Sequence, residues 1–433
     1  MKKIIILIFI HFNISSYAQD ELKYDANITK QPEWVHLMYS ENRDIADVIN
    51  AFNIYYKNHE LVKNKHTQYY KRWLRNISRF SNASIQQSSK SSNVWECIGP
   101  WDFDKDANSR SYAPGSAHIY TVEQSVSNSD VLYAGSATAG AWKSIDKGNN
   151  WSLITKNLSL NTVYAIEVDY TNPNIVFISG NGGIYKSIDG GINWIIIGDA
   201  SFTSLNHSVK DIKLKPSNNQ ELFVASNQGL FHSTNAGVNF NQIMSGNFLE
   251  IEFHPNSTDT MYFVKQEGDS TLFYRSNDGG NSLINFTNGW PNPNNGDSQK
   301  RTEIAVSPAS PNKIVALATG DANGGSGLYG IYISYDNGEN WDFQCCGPQP
   351  AGPPDSTNIN MMGWQPDGSD DGGQYYYDLA LAVNPNNADI IHVGGVNHWI
   401  SFDNGVSFTC PAKWSQPHKK GYIHADIHDI NYF

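Results

Sequence analysis

A short box, Ser-x-Asp-x-Gly-x-x-Trp followed by β-prone residues, returns along this chain and constrains its fold more than any other feature. Complete copies stand at Ser144/Asp146/Gly148/Trp151, Ser187/Asp189/Gly191/Trp194 and Ser334/Asp336/Gly338/Trp341. Degraded copies stand at Ser233/Asn235/Gly237/Phe240, Ser276/Asp278/Gly280/Leu283 and Ser401/Asp403/Gly405/Phe408. From Ser144 to Ser187, Ser233 and Ser276 the steps are 43, 46 and 43 residues; the next two, to Ser334 and Ser401, are 58 and 67. A strand-built period of roughly 40–50 residues is that of the blades of a β-propeller. The expected fold is all-β: a propeller of six recognisable box-bearing blades and part of a seventh, after a short helical segment.

The box itself reads as structural. Its Asp accepts hydrogen bonds from backbone N–H groups of a tight turn, Gly takes the positive-φ position, Ser ties the start, and Trp packs between layers. Each blade then follows one plan, clearest in the second: the strand VYAIEVDY, the turn TNPN, the strand IVFISG, the loop NGG, and IYKSIDGGINWIII running through the box. Period-two alternation gives each sheet two faces for packing against neighbouring blades.

Residues 1–18 read as a secretory signal peptide, with Lys2 and Lys3 ahead of an apolar stretch and Ser16-Tyr17-Ala18 at the cleavage site. No later apolar run approaches the roughly 20 residues of a membrane-spanning helix. The protein is therefore expected outside the cell or at its surface, without membrane insertion. Residues 19–93 differ from the rest: 45–56 (IADVINAFNIYY) has helical spacing, 69–80 (YYKRWLRNISRF) reads as a second, basic helix, and 81–93 as a linker. Residues 94–433 hold the blades. A net charge of −12 argues against nucleic acid as a partner, although solubility explains the acidity equally well.

Four cysteines, Cys97, Cys345, Cys346 and Cys410, allow three connectivities in an oxidising compartment. A bond from the vicinal pair to Cys410 is the favoured one, because both flank the same long segment. At the two ends of the blade region, Trp95-Glu96-Cys97-Ile98 resembles an outermost strand and residues 422–433 (YIHADIHDINYF) an innermost one. Together they would supply half of a closing blade, and the sequence is expected to be truncated there.

Strand polarity locates the face for a site. The long insertions, 286–300, 319–330, 345–374 and 413–423, all fall in second-to-third-strand loops or blade-to-blade connections, which share one end of the ring. They mix aromatics with polar groups: Trp290, Tyr329, Trp364, Tyr375, Tyr376 and Trp414, beside Asp321, Asn323, Asp367, Asp370 and Asp371. With His398 and His424, these are the candidate binding residues for a glycan or an extracellular protein. If the chain is an enzyme, the candidate catalytic residues are Asp321, Asp371, His424 and Asp426. No cofactor or metal is expected. The alternation of His424, Asp426 and His428 would put three side chains on one side of a strand and leaves a metal site as an alternative reading.

The boxes, together with IGP at 98–100, YAGSATAGAWKSIDKGNNW at 133–151, YDLALAVNPNN at 377–387, VGGVNHWISFDNG and HADIHD, resemble the Asp-box (BNR-like) propeller superfamily. The chain is more closely similar to large secreted Bacteroidetes proteins with sortilin-like propellers; AFNIYYK and YKRWLR carry this likeness ahead of the ring. The resemblance implies type IX secretion and a binding role, or glycoside hydrolase or polysaccharide lyase chemistry. Sialidases of the superfamily need a central arginine triad; from Trp95 onwards only Arg110, Arg275 and Arg301 occur. Xyloglucanases carry a catalytic Asp in the first blade, and Ala137 stands at that place here. Both departures favour binding over catalysis.

Overall fold

The computed structural model describes residues 31–40, 44–62, 64, 66–71, 73, 118–158, 160–180, 183–198, 208–294, 296–322, 325–346, 359–415 and 423–432. The leader, the linker, Cys97, Arg110 and Asn323 lie outside these. The chain divides into two compact units, Met1–Asn93 and Val94–Phe433. In the first, the helices Glu33–Tyr39 and Ile45–Tyr56 enclose Trp34, Val35, Met38, Val48 and Tyr70. The Asp44 carboxylate caps the second helix, accepting from Ala46 N at 2.8 Å and Asp47 N at 3.1 Å. Of 69–80, residues 69–71 and 73 are described and helical. Among the described residues no helix is long and apolar enough to cross a membrane.

The second unit is a ring of six four-stranded blades, each an antiparallel meander in chain order. Their first strands, Ile119–Gln124, Ile166–Val168, Val209–Lys215, Asn247–His254, Ser298–Val306 and Ala380–Val383, succeed one another around a central channel. Five apolar clusters fill the five junctions between consecutive blades. Val131, Tyr133 and Ile178 lie between blades 1 and 2; Phe177, Ile212 and Phe231 between 2 and 3; Phe223, Ile251 and Phe263 between 3 and 4. Tyr262, Phe273 and Trp341 join blades 4 and 5, and Ile331, Val393 and Trp399 join 5 and 6. The ring is held by hydrocarbon burial between sheet faces.

All six boxes have the same geometry, including the degraded ones. In the first, Ser144 Oγ donates to Asp146 Oδ1 at 2.8 Å and accepts from Gly148 N at 2.8 Å. Asp146 Oδ1 accepts from Asn150 N at 2.8 Å, and Oδ2 from Asn150 Nδ2 at 2.6 Å. Ser282 and Ser407 take the place of that Asn in blades 4 and 6, both at 2.6 Å. In blade 3, Asn235 replaces the carboxylate and still accepts from Ser233 Oγ at 2.9 Å. The glycine requirement is conformational: Gly148, Gly237, Gly280, Gly338 and Gly405 have φ between 80° and 87°, and Gly191 has 93°. These bonds hold Asp189 down to about 2, the backbone and side chain of Asn193 contributing most. The box Asp residues, Asp278 included, are turn anchors.

Burial of the box tryptophans is uneven, which corrects the expectation of uniform interlayer packing. Trp341 is 4% exposed, against Phe273 and Trp290 of the preceding blade, whereas Trp151 is 37% exposed. Trp194 lies between these extremes, its indole reaching Ile154 O of blade 1 at 3.0 Å.

A second correction concerns the cysteines. Cys345 and Cys346 are bonded to each other and Cys410 is a free thiol. The vicinal pair lies in the apolar layer between blades 5 and 6, while Cys410 sits on the outer strand of blade 6 with its Sγ 3.5 Å from Ala412 O.

Candidate functional site at the mouth of the central channel

The first strands line a cavity of about 660 Å³ on the ring axis. Each of these strands starts at the end of the ring where the long loops lie. The starts contribute Tyr120, Tyr164, Lys210, Asn247, Lys300 and Arg301 to the cavity wall, and the segment leading into blade 6 adds Tyr376 and Tyr377. Farther along the same strands come Glu123, Asp211, Lys213, Glu250, Glu252 and Glu303. The channel is therefore aromatic and basic at its mouth and acidic inside.

Several inner carboxylates hold blades together. Asp211 Oδ2 on blade 3 accepts from Ile251 N on blade 4 at 3.0 Å, and Glu167 Oε1 on blade 2 accepts from Leu214 N on blade 3 at 2.9 Å. Lys213 stands among them, its Nζ 3.8 Å from Glu252. Asp211 above all, then Glu252, holds the Lys213 ammonium well above its usual pKa. Burial pushes Glu123 up to about 7 and raises Glu250 well above the carboxylate range, with Glu303 as its largest charged neighbour. These carboxyls have recurring neighbours in the sequence: Asp211-Ile212, Glu250-Ile251, Glu303-Ile304 and Asp429-Ile430. That dipeptide was a legible signal of inward-facing strands, and the sequence reading passed over it.

The last of these dipeptides closes the ring. Between blades 6 and 1 lies the segment 423–432, where the sequence suggested an innermost strand. Asp429 Oδ2 accepts from Val122 N of blade 1 at 2.7 Å, repeating the Asp211–Ile251 bond, and Asn431 Nδ2 donates to Val122 O at 2.8 Å. On the other side Ile427 N donates to Gly395 O of blade 6 at 2.9 Å, and Ile427 lies where a side chain on Gly394 would collide. Burial raises Asp429 to about 6.

This junction brings together a group of polar aromatics. Tyr377 and His118 share a hydrogen bond of 2.7 Å between hydroxyl and Nδ1, and Asp426 Oδ2 is 3.8 Å from the same nitrogen. The His428 ring meets Tyr120 and Tyr377 edge-on, with centroids 4.6 and 4.7 Å away. Burial, then the charges of Arg301 and His118, push His428 down to about 4, so it is neutral at pH 7. Asp378, 1% exposed, is pushed by burial up to about 6, and Gln374 Nε2 donates to it at 3.1 Å and also to Asp426.

The structure separates the other candidate residues by exposure. Trp290 and Tyr329, taken from the sequence as candidate binding residues, are core residues at 6% and 2% exposure; the Trp290 indole donates to Thr271 O at 2.7 Å. Tyr375 is buried as well, its hydroxyl 3.3 Å from Asp321, which also accepts from Ser298 Oγ at 3.1 Å. Trp364, Tyr376 and Trp414 are exposed. The Trp414 indole donates to Trp364 O at 2.8 Å, and Asn397 Nδ2 donates to the same carbonyl at 3.2 Å. Asp367 closes a turn with Ser369 at 2.7 Å, and Asp370 accepts from Gln365 N. Asp371 is exposed, and its backbone carbonyl accepts from Ser326 N at 3.1 Å.

Buried Asn360, absent from the sequence reading, organises this loop. It donates to Asp370 O and Gly372 O and accepts from Leu328 N and Met362 N. His398 stacks on His392 at 5.0 Å and is pushed by burial down to about 4. The expected common face of His424, Asp426 and His428 does not form. Asp426 takes a φ of 74°, which breaks the alternation and leaves His424 exposed, against its neighbour's carbonyl. Among the described residues no group of three or more His, Cys, Asp or Glu side chains is placed to hold a metal ion. Arg275 pairs with Glu339 at 2.8 Å beside the box of blade 5, so of the two described arginines of the blades only Arg301 lines the channel.

No protein-family model matches the sequence, and no curated protein does. Solved structures match in fold. A GH74 enzyme of Niastella koreensis is similar over 68% of this chain at 19% identity and a TM-score of 0.49. YCF48 bound to D1 peptide is similar over 68% of this chain and 82% of its own, at 15% identity and 0.45. The extracellular domain of a one-component system protein from B. thetaiotaomicron is similar over 73% of this chain and 36% of its own, at 8% identity and 0.47. The chain spans 45% of the Niastella enzyme and 38% of an ancestral GH74 enzyme. Each likeness concerns the β-propeller fold, which the strand topology establishes independently.

Proposed function

We propose that this chain is a secreted binding propeller of the Asp-box, sortilin-like type, engaging an extracellular glycan or protein at the channel mouth. One observation carries the reading: the axis of the ring opens, on the long-loop face, between tyrosines and cations. Tyr376 is 74% exposed there, and Trp364 and Trp414 stand exposed on loops of the same face. Rigid aromatics beside a few polar groups suit a ligand that is both flat and hydrogen-bonding. Hydrolase chemistry needs two carboxylates free to face the scissile bond. Here Asp211 and Glu167 accept backbone N–H groups across blade junctions, and Asp321 is held by Ser298 and Tyr375.

The test is to incubate the mature protein with immobilised plant, algal and host glycans and with extracellular proteins. Saturable retention without new reducing ends or unsaturated products, lost on Tyr376→Ala or Trp364→Ala, is the expected result. Turnover abolished by Asp321→Ala or His424→Ala would overturn it in favour of an enzyme.

A further inference from the structure

The mouth has an unbalanced charge. Lys300 pairs with Asp269, and Arg301 with Glu303 at 2.9 Å while also donating to Tyr377 O and Leu379 O at 3.3 Å. Lys210 has no such partner among the described residues; its Nζ lies 5.8 Å from the Tyr164 ring centroid. Lys210 belongs to blade 3 and Arg301 to blade 5, with Leu249 of blade 4 between them in the cavity wall. Lys210 keeps much of its surface exposed, yet partial desolvation and then the charge of Arg301 lower its pKa. Lys210 and Arg301 thus line the cavity one blade apart with Leu249 between them, and of the two only Arg301 has a partner, so an anion beside them would relieve the unpaired charge of Lys210.

We infer, building on the binding reading above, that the ligand is an acidic glycan whose hexuronate carboxylate sits between Lys210 and Arg301 over Leu249. The ring of the sugar then lies towards Tyr376, whose open face is the most exposed aromatic surface of the cavity. The Tyr120–Tyr164 stack, with centroids 5.3 Å apart and planes 10° from parallel, continues the wall from Tyr377 round to Lys210. A uronate carries its charge and its flat apolar face on one rigid unit. An acidic peptide carries its carboxylate on a flexible stem and gains nothing from the tyrosines.

The test uses the mature chain with three probes: tetragalacturonate, the neutral tetramer cellotetraose, and hexaglutamate. Tetragalacturonate is expected to bind saturably and to weaken with added salt. Its affinity is expected to fall about tenfold on Lys210→Met and to recover on Lys210→Arg, as loss of one partly shielded ion pair predicts. Lys210 is a surface residue, and an unchanged melting temperature of Lys210→Met confirms that the fold is intact. Cellotetraose bound as well as the uronate, indifferent to Lys210→Met but lost on Tyr376→Ala, would overturn the acidic class and leave the mouth as the site. Preference for hexaglutamate would overturn the sugar. Retention of tetragalacturonate that survives both Lys210→Met and Tyr376→Ala would overturn the mouth itself. No retention of any probe, while another glycan is held through Tyr376, would overturn this inference alone.

Discussion

Between blades 4 and 5 the junction is a packed hydrocarbon layer in which Tyr262, Phe273, Trp290, Ile304 and Trp341 are all nearly inaccessible. Between blades 6 and 1 the same role falls to ten residues of tail, and the contacts are of another kind. Asp429 accepts from Val122 N, Ile427 N donates to Gly395 O, and His118, Tyr377, Asp426 and His428 stack and hydrogen-bond around them. An apolar layer gains stability with area and tolerates small shifts. A polar junction depends on a few directional bonds, each costly to leave unmade. Tyr377 and His428 are available to the channel because the junction that positions them is built from polar side chains.

The largest effect that sharpens this contrast should come from the apolar side. Trp341→Ala should cost roughly 3–5 kcal/mol in urea unfolding, as for a fully buried aromatic. A loss below about 1 kcal/mol would mean that the blade junctions are not held by burial. On the polar side, Asp429→Ala should cost about 1–3 kcal/mol by leaving the Val122 N–H without its acceptor. An unchanged midpoint would place ring closure elsewhere.

Next comes a pH effect. Glu123 is raised from 4.5 to about 7, chiefly by burial. The folded state therefore keeps a proton that the unfolded chain releases, and this contribution is full below 4.5 and lost as pH rises through 7. Glu123→Gln should accordingly stabilise the protein by roughly 1–2 kcal/mol at pH 8 and leave it unchanged near pH 4. Equal melting temperatures at both pH values would contradict that account. The smallest effect is expected at the most exposed box: Trp151→Ala should cost less than about 1 kcal/mol. A loss equal to that of Trp341→Ala would erase the distinction between covered and uncovered boxes.

The repeat was legible because turn chemistry leaves little choice. Positive φ demands Gly148 and its counterparts, and the Ser–Asp pair must span the turn, so even the degraded boxes keep a recognisable trace. The tail was read as an inner strand from its likeness to the first strand of a blade; the structure seats 423–432 at that position in the ring, bonded to Val122 and Gly395, but without forming a strand. Its side-chain directions were not legible: a left-handed Asp426 is set by tertiary contacts with Gln374 and His118, and no local pattern announces it. Trp290 and Tyr329 were misjudged for a similar reason. Both lie in loop-like sequence; Trp290 becomes core by packing on Phe273 and Trp341, and Tyr329 because the strand Gly325–Ser334 extends back through it. The mouth was missed as a unit because Tyr120, Lys210 and Arg301 are far apart in the chain and converge only through the ring.

Native-state hydrogen exchange of two amides tests the closing role of the tail most directly. Val122 N–H and Ile251 N–H donate to equivalent carboxylates, Asp429 and Asp211, across the polar 6–1 junction and the apolar junction of blades 3 and 4 respectively. The predicted result is that Val122 opens at a lower free energy than Ile251 in the wild type, and that Asp429→Ala strips protection from Val122 while Ile251 keeps its own. Equal protection of the two amides, unchanged by Asp429→Ala, would contradict closure of the ring by the tail.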